Sequence, residues 1–267
     1  MMHGKIRERR AKVIRRGKRF RLYSVIGVLG ISGVASLGYG VSRTPFFKVR
    51  KLMILGATPA IQSSIDSELA SVMGKNLFSL DSKVLATTLK RSPLFSNVLV
   101  RKSLPSEVVV KVSVRSPVAL VRTAPSSFAE ISRGGILFQQ VSVNSVPPLP
   151  EICVVSAKGF GNCSSYVDPL SVGERLPKQV MGAVLIAQKM TPQELASYKY
   201  VGVSPSGELY LSDGGGFVCK LGGSTSVKAK LKLCDAMKQA FGSQGGPSYV
   251  DVSAPANPTV EPTSWLS

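Results

Sequence analysis

Residues 22–42 (LYSVIGVLGISGVASLGYGVS) carry no charged side chain. As a helix rising about 1.5 Å per residue, the run is long enough to cross the hydrocarbon core of a bilayer. Beyond it the apolar positions fall into regular spacings. Residues 46–55 (FFKVRKLMIL) read as a strand that closes at Gly56. Ile61, Ile65, Leu69 and Val72 then recur at intervals of four, four and three, which predicts an amphipathic helix between Pro59 and Gly74. Asp81 is placed to cap a second helix that buries Val84, Leu85 and Leu89 and must stop near Pro93. A strand over residues 98–103, the turn Leu104-Pro105-Ser106 and a second strand over 108–115 (VVVKVSVR) follow. In that last strand Val108, Val110, Val112 and Val114 point one way, and Lys111, Ser113 and Arg115 the other. Strand, helix, helix, strand, strand predicts a small α+β domain over residues 46–116, with both helices on one face of a three-stranded sheet.

Residues 117–253 read as a second, β-rich domain. A hairpin spans 128–132 and 136–140 around Arg133-Gly134-Gly135. Residues 147–150 (PPLP) are an extended connector, and 154–170 read as an exposed loop. Residues 176–190 predict a helix that buries Val180, Val184, Ile186 and Ala187. Strands over 199–203 and 208–211 flank Ser204-Pro205-Ser206-Gly207, and 217–221 is a third strand behind Asp213-Gly214-Gly215-Gly216. That glycine run lacks the Gly-Lys-Ser/Thr ending of a phosphate cradle and reads as a hairpin tip. Val227, Leu231, Cys234, Met237 and Phe241 mark a helix whose basic face shows Lys228, Lys230, Lys232 and Lys238. Tyr249, Val250, Asp251 and Val252 form a last strand, and residues 254–267 a flexible proline-rich tail.

Charge gives the apolar run its direction. Residues 1–21 hold ten Lys or Arg against Glu8 alone, nearly half of the formal net charge of +19. Such a segment stays in the cytoplasm, so residues 22–42 become a single transmembrane helix and everything from Arg43 onward is exported. A cleavable signal peptide fits less well, since its apolar core is shorter and Tyr39-Gly40-Val41 is a poor cleavage site. A buried helix of a soluble domain would carry a polar face. Ser32, Ser36 and Gly40 share one face, a spacing that lets a second membrane helix approach closely and is also common in membrane helices generally. The tail's positive charge serves topology and anionic headgroups, so no nucleic-acid partner is inferred from it.

The sole histidine, His3, lies in the tail, which removes Ser/His/Asp and Cys/His catalysis from the exported part. Its carboxylates are scattered, with Asp66 and Glu68 on different helix faces and Asp251 alone in an apolar strand. No enzyme, cofactor, metal or small-molecule substrate is therefore expected. Cys153, Cys163, Cys219 and Cys234 all lie on the exported side, where disulfides persist. Of the three possible pairings, Cys153 with Cys163 and Cys219 with Cys234 are favoured: the first would clip a loop, the second would tie a strand to the next helix. Four free thiols are the alternative.

The stretch from Phe47 to Val121 resembles the POTRA domain of the bacterial cell-division family FtsQ, also called DivIB. The resemblance rests on Phe47-Lys48-Val49, Ile54-Leu55-Gly56, the run GKNLFSLD at 74–81, Ser92-Pro93 with the strand behind it, Leu104-Pro105, and Arg115-Ser116-Pro117-Val118-Ala119. More loosely, Glu130-Ile131, residues 135–138 (GILF), Gly207-Glu208-Leu209 and the lysine-bearing helix before Tyr249 resemble the second domain of that family. The resemblance implies a septal membrane scaffold that binds the single-span division proteins FtsB (DivIC) and FtsL and helps control septal peptidoglycan synthesis. It implies a docking edge on the last strands, here Tyr249, Val250, Asp251 and Val252. A membrane-anchored POTRA protein of export or envelope assembly is the alternative, and such proteins usually carry repeated POTRA units or a barrel.

Overall fold

A computed structural model describes residues 44–156, 159–164, 170–241 and 248–262. The expected basic tail and membrane segment lie outside the described residues, and among those described no helix is long and apolar enough to cross a membrane. The described residues divide into two compact units: one holds 44–87 with 99–112, the other 88–98 with those from 113 onward.

The smaller domain begins with β1 (Lys51–Leu55), reached through a 3-10 turn at Pro45–Phe47 rather than by a strand running from Phe46. Gly56 follows at φ +83°, where a Cβ would strike the carbonyl oxygen of Val112. Helix α1 (Pro59–Leu69) starts on a proline, which suits a first helical position because no amide hydrogen is needed there. It buries Ile65 and Leu69, then tightens into a 3-10 turn, Ala70–Val72, that carries Val72 inside. Helix α2 (Ser82–Lys90) is capped by the Asp81 carboxylate, which accepts the amides of Lys83 at 2.8 Å and Val84 at 3.4 Å. Leu89 is fully buried, but Val84 is 60% exposed, contrary to the pattern-based expectation. The buried line runs through Leu85 and Leu89, four apart, and Val84 sits one residue, about 100°, off that line. Strands β2 (Phe95–Ser103) and β3 (Glu107–Val114) form a hairpin, and β3 is central in the order β1-β3-β2, parallel to β1. Val108, Val110 and Val112 point into the core.

Among the described residues the larger domain is a ten-stranded mixed sheet in the order β13 (Thr259–Pro262), β12 (Ser248–Asp251), β11 (Phe217–Gly222), β10 (Leu209–Ser212), β9 (Tyr200–Val203), β7 (Glu151–Ser156), β4 (Pro117–Ala124), β5 (Ser127–Ser132), β6 (Leu137–Ser142), with β8 (Gly159–Ser164) attached to β7. β4 (Pro117–Ala124), β5 (Ser127–Ser132) and β6 (Leu137–Ser142) form an antiparallel meander. β7 (Glu151–Ser156) runs parallel to β4 and β9 (Tyr200–Val203), while β8 (Gly159–Ser164) is antiparallel to β7. The loop expected over 154–170 is therefore corrected, because its start and middle are strands. Glycine and asparagine make that stretch look irregular locally, yet β7 is a central strand with Ile152, Cys153 and Val155 buried. β9, β10 (Leu209–Ser212) and β11 (Phe217–Gly222) continue as an antiparallel meander.

Helix α3 (Met181–Lys189) packs on β4 and β9, and the short α4 (Pro192–Ser197) follows with a capping box between Thr191 and Glu194. Helix α5 (Val227–Phe241) packs on α3, β11 and β12. Their buried faces and the inner face of the sheet enclose one core that includes Ile131, Leu137, Val184, Ile186, Leu211 and Val250. The basic face expected on α5 is corrected at two positions. Lys230 is only 3% exposed, and its ammonium donates to the carbonyls of Leu221 at 2.7 Å and Gly223 at 3.0 Å. Lys238 pairs with Asp213 at 3.1 Å and donates to the Ser197 carbonyl at 2.9 Å. Long aliphatic stems allow both ammonium groups to reach backbone or carboxylate oxygens across the helix–sheet layer. A disulfide joins Cys219 of β11 to Cys234 of α5, with Cα atoms 6.0 Å apart. Cys153 is disulfide-bonded as well, and the side chain of Cys163 lies outside the described residues.

Candidate protein-interaction surface

At the C-terminal end of the larger sheet, β11 is followed by β12 (Ser248–Asp251), parallel to it across the α5 crossover. Alternation along β12 is strict. Val250 and Val252 are fully buried in the core, so Tyr249 and Asp251, both half-buried, belong to the opposite face. The strand register then assembles a row across four strands on that face: Tyr210, Lys220, Asp251 and Thr259.

This row is tied together by charge. The Lys220 ammonium lies 2.9 Å from the Glu208 carboxylate and 3.7 Å from that of Asp251, and the Tyr210 hydroxyl donates to Glu208 at 3.0 Å. Glu208 holds Lys220 charged above its ordinary range, chiefly through that hydrogen bond, and Lys220 in turn holds Glu208 below the usual carboxylate value. Partial burial, with the hydrogen bond to Glu208, pushes the Tyr210 phenol up. Asp251 does not stand alone in its strand. Besides facing Lys220, its Oδ1 accepts the Ser253 amide at 2.8 Å and the Ser253 hydroxyl, and this turn leads the chain away from β12. Sequence reasoning passed over Lys220, Glu208 and Tyr210. One signal was available, since Lys220 is the only charge in the strand FVCKLG.

The same turn overturns the expected edge. After Ser253 the chain folds back as β13 (Thr259–Pro262), antiparallel to β12, with Tyr249 opposite Glu261 and Val250 opposite Val260. Tyr249, Val250 and Asp251 thus lie between two strands, and the terminal strand of the sheet is β13. The flexible proline-rich tail expected over residues 254–267 is thereby corrected at residues 259–262, which are a strand. Pro258 and Pro262 flank or end β13, where a missing amide hydrogen is tolerated. Thr259 is exposed and Val260 is 41% exposed, so the new edge presents backbone and small side chains to solvent.

A second feature of this domain is a polar recess of about 520 Å³ lined by Gln193, Ser197, Asp235, Lys238 and Gln239. Burial raises the Asp235 carboxyl, and the fully buried Tyr198 phenol, also raised by burial and by Asp235, lies under the Lys238 ammonium at 5.1 Å. Among the described residues no cluster of three or more His, Cys, Asp or Glu has the arrangement to hold a metal ion. What the β10–β13 end can do chemically is hydrogen-bond an extended chain along β13 and present a fixed pattern of charge beside it.

Residues 47–114 match the family model described as the POTRA domain, FtsQ-type. The match spans 68 of the 267 residues and supports an FtsQ/DivIB-like POTRA protein; the fold is mixed α+β, with a β-rich mixed sheet following the POTRA domain. POTRA domains are protein-interaction modules, and the FtsQ type points to cell division. No curated protein matches the chain.

Proposed function

We propose that this protein is a single-span membrane scaffold of the bacterial division apparatus. Its exported domains bind other single-span division proteins of the FtsB (DivIC) and FtsL type at the septum, and so help to control septal peptidoglycan synthesis. The observation that carries the reading is the FtsQ-type POTRA match, starting five residues after a charge-free run of membrane-spanning length that follows a strongly basic tail. An anchor of this kind restricts the search for partners to two dimensions, while the exported domains provide the contacts.

Docking is assigned to the C-terminal ribbon of the larger sheet. A partner strand adds along β13, with Val260 at the contact and the Tyr249–Asp251 face beside it. Val250 and Val252, both buried, support the ribbon from the core side. The test is site-specific photo-crosslinking in living cells from positions 249 and 260, followed by mass spectrometry of the adduct. Capture of a small single-span coiled-coil division protein, stronger from 260 than from 249, is the expected result. Adducts with export or outer-membrane assembly components would overturn the division reading.

A further inference from the structure

A second surface, in the small domain, is apolar and basic together. The segment after the expected membrane helix lies against residues 74–78: the Val49 amide donates to the Lys75 carbonyl at 2.9 Å, that of Gly74 to Val49 at 2.9 Å, and that of Leu77 to Phe47 at 2.8 Å. This zipper sends Leu77 fully into the core. The Asn76 side chain accepts the Phe78 amide at 2.9 Å, and Phe78, one residue beyond Leu77, is left 52% exposed. Its ring contacts Phe47, centroids 5.0 Å apart, and Phe47 contacts Phe46 at 5.3 Å. Phe46 is 58% exposed and Met73 45%. Lys48, Arg50 and Lys75 are exposed in the same two stretches, which contain no carboxylate from 44 to 56 or from 70 to 80. Lys51, in contrast, is drawn to Glu107 at 3.2 Å.

We propose that the Phe46–Phe47–Phe78 cluster, with the exposed Met73, Lys48, Arg50 and Lys75 on the same two paired segments, docks onto the anionic lipid headgroups next to the membrane anchor. Tether length is the main argument. Phe46 follows Ser42 by four residues, so it can lie at most ~14 Å from the end of the apolar run. The headgroup layer on each side of the hydrocarbon core is itself about 5–8 Å thick. Aromatic rings favour that layer, and each nearby Lys or Arg adds attraction to anionic lipid. Exposed large apolar side chains rimmed by charge mark an interaction surface, and here the charge is of one sign, opposite to the lipid's. The inference rests on the single-span reading for its tether.

The test uses the full chain, with Trp265→Phe removing the native fluorophore and Phe78→Trp placing one in the patch. It is reconstituted in phosphatidylcholine–phosphatidylglycerol vesicles whose acyl chains carry bromine. Loss of most of the emission by bromine quenching, recovered by Lys48→Glu, Arg50→Glu and Lys75→Glu together, is the expected result. Equal quenching at Val143→Trp would show an unspecific approach to the vesicle and overturn the proposal. So would a blue shift without quenching, which reports burial against protein, a second copy included. No quenching in a chain that resists alkaline extraction overturns the lipid contact and leaves the anchor standing. Extraction by alkali overturns the anchor, and the tether argument with it.

Discussion

The small domain and the β10–β13 end of the larger sheet both close over a buried apolar core, and they differ in what is added to it. In the first, Val108, Val110, Val112, Leu69 and Leu89 are buried, and the charged side chains lie outside. In the second, cross-links are added to the buried Leu211, Leu221, Leu231 and Val250: the Cys219–Cys234 disulfide, the Lys230 ammonium on two backbone carbonyls, the Asp213–Lys238 pair, and Lys220 between Glu208 and Asp251. Topology accounts for the contrast. β2 and β3 are joined by a tight turn, so valine alternation is enough to register them. β11 and β12 are parallel and need a crossover, and that crossover, α5, carries one end of the disulfide, the buried Lys230 and the half-buried Lys238.

The largest expected effect breaks the apolar side of this comparison. Leu69→Ala should destabilise the small domain by about 2–5 kcal/mol, because a fully enclosed side chain leaves a cavity. Hydrogen exchange should show lost protection in α1 and β3. Equal loss across β10–β13 would mean that the two domains unfold as one and that the contrast has no energetic meaning. Next, Cys219→Ala with Cys234→Ala opens a link between residues 15 apart, for which about 3 kcal/mol is expected. The urea midpoint should fall accordingly, with exchange protection lost first in α5 and β12.

Lys230→Met should follow, at about 1–3 kcal/mol, since it orphans the carbonyls of Leu221 and Gly223. A more stable Lys230→Met variant would show that the buried ammonium is a net cost and that its role is to place the α5 crossover. The smallest effect is Glu208→Gln, under about 1 kcal/mol because the carboxylate is 41% exposed. Its sign is definite. Lys220 lowers the folded-state pKa of Glu208, so its contribution is complete above the unfolded value near 4.5 and fades as the pH falls through the lower folded value. Melting temperature measured down that acid limb should drop less steeply for Glu208→Gln than for the parent protein.

Legibility from sequence divides along the same line. The period of Ile61, Ile65, Leu69 and Val72, the Asp81 cap and the valine alternation of β3 are local signals, and local hydrogen bonds and faces obey them. Val84 shows the limit even there, because two neighbouring helical positions compete for one buried line and only the packing partner decides between them. In the larger domain the pattern marks neither β4 nor the short α4, and the end of β7 (154–156) and all of β8 read as loop. Ile152, Val154 and Val155 of β7 favour a strand locally, but nothing within its six residues announces β9 and β4 as the neighbours on either side. The candidate edge failed for the same reason. Tyr249–Asp251 has the alternation of an outer strand, but what lies beyond it is set by a turn at Asp251 and Ser253 and by a strand with proline at its end.

By itself, then, the sequence determined the order of elements in the small domain, the charge-free run with its basic flank, and which faces of α1, α3 and β3 are apolar. Each depends on residues a few positions apart, where backbone geometry alone fixes the spacing. The tertiary structure decided which strand ends the large sheet, that Lys230 and Lys238 turn inward, and that the exposed Phe46 and Phe78 both contact Phe47. Those outcomes depend on pairings between residues far apart in the chain, and the energy of such a pairing belongs to both partners, so neither partner's sequence alone encodes it.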